Sequence, residues 1–208
     1  MQSEQLAELM REEIRAGTWP AGQPLVQEEL ARRFQVSRIP IREALLMLAS
    51  SGLVTSRAGG GHAVKELSAE EVDELYDLRL LIEPSLSPYI VENASPRQLR
   101  EWRALLQELN HTPRSSPEWV KKNFAFHLSM YGAAQRPHSL RLVKLLLDLT
   151  FSYVQMFMSS TGASSNVEHE HDEMLDFIEK RDDAGLEATI REHLQATQRC
   201  LFAKLRDA

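Results

Sequence analysis

"FQVSRIPIREALLMLASSGLV" (Phe34–Val54) is the stretch of this sequence that decides its fold. Apolar residues recur in it at the helical spacing i, i+3, i+4 and i+7, which predicts an α-helix with one buried face. They are Ile41, Ala44, Leu45 and Leu48. Arg38 and Arg42 are one turn apart and off that face, near the start of the helix. Positive charge at a helix N-terminus gains nothing from the helix dipole, so these arginines indicate a role other than helix stability.

The segments on either side predict a winged helix-turn-helix. Helical periodicity predicts helices over Ser3–Ala16 and Gln27–Phe34, with "TWPAGQPL" as a turn between them. Ser37 is a suitable N-cap for the third helix. After that helix, "LVTSRAGGGHAVKEL" alternates and turns over its glycines, which indicates a small β-hairpin. Three helices followed by a hairpin are the order of elements in a winged helix-turn-helix.

The distribution of charge favours nucleic acid as a partner of this segment. The formal net charge is -6, but what matters for binding is where the charge lies. Between Trp19 and Lys65 the basic residues outnumber the acidic ones: Arg32, Arg33, Arg38, Arg42, Arg57 and Lys65 against Glu28, Glu29 and Glu43. In a helix-turn-helix the start of the recognition helix enters the major groove, where arginine can bind guanine through two hydrogen bonds. From periodicity alone, two solvated arginines on an ordinary surface helix are the alternative.

The stretch from Ile14 to Val64 resembles the winged-helix domain of the GntR family of bacterial transcription regulators. The G-x-x-x-x-G-x-x-L spacing, the "ELA" turn, the "VSR-x-P-x-REAL-x-x-L" helix, the "GLV" exit and the glycine wing all occur in register. The resemblance implies DNA contacts from the recognition helix and the wing by Ser37, Arg38, Arg42, Arg57, Gly59 and Gly60. Two positions depart from the family pattern. Ile39 replaces a usual threonine and Glu28 replaces an arginine of some members, so we expect a different operator preference.

The rest of the chain is expected to form an all-α bundle, which divides the protein into residues 1–66 and 67–208. We predict about six helices, over Ala69–Asn93, Pro96–Leu109, Pro117–Ala134, His138–Ser159, Asn166–Arg181 and Asp183–Arg206. Pro84 should kink the first of them or restart it, because proline removes a backbone donor and clashes with the preceding turn. The expected fold class is therefore mainly α, with a winged helix-turn-helix followed by a helical bundle.

Composition predicts a cytoplasmic protein with no membrane span. No apolar run approaches the ~20 residues that a membrane helix needs. The first residues carry charges every few positions, which does not fit a secretory signal. Cys200 is the single cysteine, so an internal disulfide is excluded and a reducing compartment fits.

Three histidines of the bundle are predicted to face inward: His127, His171 and His193 each share a helix face with apolar residues. Asn123 lies one turn before His127 on the same face. Three imidazoles and an amide oxygen can coordinate a divalent metal and leave positions open for water or a ligand. From spacing alone, core histidines that are only hydrogen-bonded are the alternative.

The same helices resemble the FCD domain, the C-terminal domain of FadR-type GntR regulators. "NFAFHLSM" is similar to its D/N-x-x-x-H helix, and "EHDEMLDFIEKRDDAGLEATIREHL" to its final two helices. The resemblance implies that Asn123, His127, His171 and His193 bind a metal, which zinc, nickel, manganese or iron would suit. Asn123 stands where many members have aspartate, so we expect weaker metal binding. Six helices, rather than seven, suggest the shorter VanR-like branch.

The expected function is a ligand-responsive transcription regulator, by family frequency a repressor, that binds a pseudo-palindromic operator as a homodimer. A small organic or sugar acid is the expected effector, bound at the metal. Arg79 is a candidate partner for its carboxylate, although an ion pair with Glu83 explains this residue equally well. One alternative is a metal-dependent hydrolase with Glu170 or Asp172 as base, although both should point away from the helix face of His171. The other is a DNA-binding dimer without an effector.

Overall fold

Helices dominate both halves of the chain in the computed structural model, which describes residues 2–57, 60–161 and 166–206. The chain divides into two compact units, Met1–Leu67 and Ser68–Ala208. None of the described helices is long and apolar enough to cross a membrane.

The first unit packs three helices against a small sheet. Its elements are α1 (Ser3–Arg15), β1 (Pro24–Leu25), α2 (Gln27–Phe34), α3 (Arg38–Ser50), β2 (Val54–Ser56) and β3 (His62–Val64). The apolar face predicted for α3 is fully buried, and α1 packs against it through Leu6, Met10 and Ile14. The chain turns from α2 toward α3 at Gln35, whose backbone is left-handed with φ of 54°. This turn places the start of α3 at the surface.

The sheet has one strand more than the predicted hairpin. β2 and β3 pair antiparallel, and β1 adds to the other edge of β3, so that Leu25 lies opposite His62. We predicted a plain turn for the segment that contains β1. Two residues, one of them Pro24, are too short for the alternating pattern that indicates a strand. Pro24 is compatible with this position because β1 is an edge strand.

The second unit is a bundle of α-helices. They are α4 (Ala69–Ile82), α5 (Ser87–Asn93), α6 (Pro96–Asn110), α7 (Pro117–Gly132), α8 (Pro137–Thr161), α9 (Asn166–Lys180) and α10 (Asp183–Arg206). Pro84 ends the first predicted helix, as expected, and begins a short 3₁₀ turn, Pro84–Leu86, before α5. The described residues of this unit therefore form seven α-helices where six spans were predicted, so the helix count gives no support to the VanR-like branch.

Helix ends in this unit are set by local side chains. The Ser68 hydroxyl, just before α4, accepts a hydrogen bond from the backbone N–H of Glu71. In return, the Glu71 carboxylate accepts a hydrogen bond from the backbone N–H of Ser68. Ser95 and Gln98 make the same reciprocal pair at the start of α6. Such capping boxes satisfy backbone donors that the first turn of a helix leaves unpaired. The last helix, α10, packs on α4, α9 and α8, while α7 packs on α8 and α6 and α9 packs on α6. Together these contacts bring α7, α9 and α10 close enough to share one site.

Candidate functional site

The recognition helix presents polar and charged side chains at its N-terminal end. Ser37 is the N-cap residue of α3, but its hydroxyl makes no capping hydrogen bond and is exposed. Arg38 and Arg42 are also exposed, beside the buried stripe rather than within it. Ile39 is 70% exposed between them, an unusual apolar group for a surface facing water. All four side chains are therefore available to an external partner.

The two arginines of α3 differ in their intramolecular contacts. Arg38 forms an ion pair with Glu28 of α2 at 3.0 Å, and both side chains are about two-thirds exposed. An exposed pair of this kind contributes little to stability and is readily broken. Arg42 has no ion-pair partner among the residues that the structure describes. Glu28, which departs from the family pattern, thus lies directly beside an arginine of the recognition helix.

The wing lies beside the start of α3. The backbone N–H of Arg57 donates to the carbonyl of Gly61 at 2.8 Å, and Gly60 has φ of 90°, which favours glycine. Arg57 and Gly60 line the same surface groove as Arg38. The predicted DNA residue Gly59 lies outside the described residues. Two arginines, one from the recognition helix and one from the wing, therefore border one groove.

The second site is a cluster of buried histidines from three helices. His127 comes from α7, His171 from α9 and His193 from α10, and one nitrogen of each lies within 4.8 Å of the others. The Nε2 atoms of His127 and His171 are 3.1 Å apart. The structure therefore brings together the three histidines that the sequence analysis selected. Asn123 lies one turn before His127 on α7 and is also buried.

Burial keeps two of these imidazoles neutral. The pKa of His127 lies well below its usual value, chiefly because burial penalises the cation, and also because of His171, His193 and Arg79. The pKa of His171 is lowered as well, by burial and then by His193 and Arg114. A neutral imidazole offers a lone pair, which is the form that binds metals.

Glu170 fixes the orientation of the third imidazole. Its carboxylate Oε2 lies 2.6 Å from Nδ1 of His193, so Nδ1 donates to it and Nε2 is left with the lone pair. A histidine that binds a metal through one ring nitrogen usually donates its other ring N–H to a carboxylate, a backbone carbonyl or water. We expected Glu170 to point away from the helix face of His171. It points away from His171, but the packing of α9 on α10 brings it to His193.

The donor set of the cluster fits a divalent metal. Two Nε2 lone pairs at 3.1 Å repel each other unless a proton or a cation lies between them. Two nitrogens each about 2.1 Å from one ion are separated by about 3 Å in neighbouring coordination positions. The side-chain oxygen of Asn123 is buried and has no hydrogen-bond partner in the structure, which ordinarily costs free energy. Asn123 lines the same cavity as His127 and His193, so this oxygen is a candidate fourth ligand.

Arg79 belongs to a buried ion pair beside the cluster. Its Nε and Nη2 donate to the two carboxylate oxygens of Glu83, at 2.6 and 3.4 Å. The hydroxyl of Tyr131 donates to Glu83 at 2.7 Å, and the Tyr131 ring stacks on His127. The Arg79 guanidinium also lies against the Tyr76 ring. Arg79 is therefore held by Glu83 while it borders the cavity described next.

The cluster opens into a cavity of about 90 Å³ inside the second unit. Asn123, His127 and His193 line it together with Arg79 and Glu170. The remaining lining residues are mostly apolar and come from α4, α7, α8 and α10, for example Trp119, Phe124, Val154, Met158 and Leu194. Tyr76 of α4 also lines the cavity, and its buried hydroxyl has no hydrogen-bond partner among the described residues. A concave, largely apolar space with a few convergent polar groups is the usual form of a small-molecule site.

Sequence reasoning missed the partners of the cluster rather than the cluster itself. Glu83 entered only as an alternative partner of Arg79, and no polar contact was predicted for Tyr131. The Tyr131–Glu83 hydrogen bond joins residues 48 positions apart, and spacing within a single helix does not predict such a contact. The one available signal was the glutamate of the "EH" pair at Glu170, which precedes the α9 histidine directly.

Two family models together match almost the whole chain. "Bacterial regulatory proteins, gntR family" matches residues 2–64, and "FCD domain" matches residues 74–196. The regulator LutR of Bacillus subtilis is 29% identical over 188 residues, which cover 80% of this chain and 85% of LutR. The repressor GlaR of Escherichia coli is 27% identical, over 89% of each chain.

Solved structures show the same fold. The structure of McbR/YncC from E. coli superposes with a TM-score of 0.85 at 21% identity, and covers 97% of both chains. A putative GntR regulator from Rhodococcus sp. RHA1 superposes with a TM-score of 0.83 at 17% identity, over 99% of this chain and 98% of its own. At these identities the likeness concerns the fold alone. The matched families and relatives are transcription regulators, so the hydrolase alternative is not supported. The chain belongs to the GntR family of bacterial regulators and is a DNA-binding transcription regulator with an FCD effector domain.

Proposed function

We propose that this regulator binds operator DNA through Ser37, Arg38, Arg42, Arg57, Gly59 and Gly60, and that a small carboxylic acid bound in the second unit modulates that binding. The observation that carries the effector half is the convergence of three imidazole nitrogens within 4.8 Å at a cavity that Asn123, with its unpartnered amide oxygen, also lines. Convergent ligands without another use are best explained by an ion between them.

In this proposal Asn123, His127, His171 and His193 hold a divalent metal such as zinc, nickel, manganese or iron. The metal would supply an electrophilic centre that accepts carboxylate or hydroxyl oxygens of the effector. The protein side chains do the rest. Glu170 orients His193, and the Arg79–Glu83 pair supplies guanidinium donors at the cavity wall without adding net charge.

The proposal includes repression and a homodimer. Several relatives, GlaR among them, are named as transcriptional repressors, which favours repression by this chain too. A dimer presents two recognition helices to two half-sites, so a pseudo-palindromic operator follows. For the effector to act, its affinity must differ between the DNA-competent and the DNA-incompetent state.

The test is metal content and its dependence on the cluster. We expect about one equivalent of divalent metal per chain after loading and dialysis, measured by elemental analysis. His127→Ala combined with His193→Ala should lose this metal, because two of the four ligands are gone. The matched control is His169→Ala, since His169 is exposed on α9 and its ion-pair partner among the described residues is Glu173.

Circular dichroism and DNA binding show whether the double variant is folded. Metal binding that survives in a folded double variant would reject this ligand set. A wild-type protein that takes up no metal, and is stabilised by no carboxylic acid in a thermal-shift screen, would instead favour a DNA-binding dimer whose histidines are structural.

A further inference from the structure

Ile39 is an exposed apolar side chain on the surface that carries the arginines of the recognition helix. It is the second residue of α3 and is 70% exposed. Ile39 follows Arg38 directly and precedes Arg42 by three residues, so the side chains of Ile39 and Arg42 are neighbours on one side of the helix. Hydrocarbon therefore lies beside the cationic groups that the proposed DNA surface uses.

The packing of the first unit does not explain Ile39. Ile41 of the same helix is fully buried, and side chains two residues apart on an α-helix point roughly 200° apart. Ile39 therefore points away from the stripe that packs on α1. A β-branched side chain also loses rotamer freedom in a helix, so at an exposed position it does not favour helix formation. In the free protein most of this hydrocarbon lies in water, which is unfavourable compared with burial.

The major groove of B-DNA offers one kind of partner for such a side chain. The start of a recognition helix enters this groove. The base edges there carry hydrogen-bond donors and acceptors and one apolar group, the C5-methyl of thymine. Packing Ile39 against the polar groups would remove water from them without a new hydrogen bond, which costs free energy. Contact with a thymine methyl has no such cost and removes apolar surface of both partners from water.

From these observations we infer that Ile39 reads the C5-methyl group of one thymine in each operator half-site. This thymine lies next to the base pair that Arg42 contacts, because the two side chains are one helical turn apart. Ile39 is thus a specificity-determining residue, which favours T·A over the three other base pairs at one position. The inference rests on the proposed DNA surface and specifies one base pair of its operator.

The test removes the methyl group from the DNA. An operator is first selected from a random pool with the full-length protein. Each thymine of one half-site is then replaced in turn by uracil, which differs from thymine in lacking that methyl. Fluorescence anisotropy should show a position at which this replacement weakens binding by about fourfold, the effect of one buried methyl group.

Variants of the protein assign that position to Ile39. In Ile39→Ala the replacement by uracil there should have almost no effect, since the apolar partner of the methyl is gone. Ile39→Val keeps most of the side chain and should keep most of the effect. Leu46→Ala is the matched control, because Leu46 is another exposed apolar residue of α3 but lies about 10 Å further along the helix. It should retain the full effect of uracil.

The outcomes separate this inference from the proposed function. Equal effects of uracil in the wild type and in Ile39→Ala would overturn the inference, and so would the absence of any uracil-sensitive position. Loss of the effect in Leu46→Ala as well would also overturn it. These results would leave the proposed DNA surface standing if Arg42→Ala still weakens operator binding. Unchanged binding in both Arg42→Ala and Ile39→Ala would contradict that surface, and the inference with it.

Discussion

At the scale of single residues, the arginines of the recognition helix have different surroundings. Glu28 shares the charge of Arg38 through their ion pair, whereas Arg42 has no such neighbour among the described residues. A DNA phosphate or base must compete with Glu28 for Arg38 but not for Arg42. Arg42 is therefore the residue whose loss should be felt most directly in DNA recognition.

Arg42→Ala should weaken binding to the preferred operator by about 1–3 kcal/mol and relax the base preference at one position of each half-site. Fluorescence anisotropy on a DNA fragment selected from a random pool measures both effects. Arg97→Ala is the control, because Arg97 is an exposed arginine of the second unit that pairs with Glu101. Operator binding that does not change in Arg42→Ala would refute the assignment of this residue to the DNA surface.

At the scale of elements, α9 serves the histidine cluster through two neighbouring residues. His171 presents its Nε2 to His127, and Glu170 reaches the imidazole of His193 on α10. Residues next to each other on a helix point about 100° apart, so one helix can place a ligand on one side and an orienting carboxylate on another. Because α9 packs against α10, Glu170 reaches His193 while His171 faces His127.

Glu170→Gln should lower metal affinity by roughly 10- to 100-fold, because the neutral amide holds His193 less firmly and withdraws the negative charge behind it. Competition with a chelator of known affinity measures this change in the folded protein. Glu173→Gln is closely matched, since Glu173 lies on the same helix and pairs with the exposed His169. Similar losses in both variants would mean that helix charge, rather than the Glu170–His193 contact, sets the affinity.

At the scale of the whole molecule, the two units have separate tasks and separate physical characters. The first unit carries the exposed arginines and a small sheet, and the second carries the buried histidines and the cavity. A single recognition helix reads only a few base pairs, so selectivity on a bacterial chromosome calls for two of them in register. A homodimer is therefore part of the proposed function.

Operator spacing tests this assembly. Insertion of five base pairs between the half-sites rotates one of them to the opposite side of the duplex, and binding should fall to that of a single half-site. Insertion of a full turn should restore part of the affinity if the joint between the units can extend. Sedimentation should give twice the chain mass for the free protein. A monomer that binds one half-site as tightly as the full operator would contradict the dimer.

The sequence by itself determined which residues share a helix face. Three features follow from rules that span three or four residues: the buried stripe of α3, the helix face that Asn123 shares with His127, and the helix end at Pro84. Local spacing of that kind survives in any fold, so it could be read without one. The family resemblance added the expected roles of those faces, which are DNA contact and metal binding.

Only the tertiary structure decided what those faces meet. The approach of His127 to His171, the hold of Glu170 on His193 and the Glu83–Tyr131 contact join residues 23 to 48 positions apart. The same holds for β1, whose two residues become a strand because β3 offers an edge. Such contacts depend on how helices pack against one another, which periodicity within a single helix does not encode.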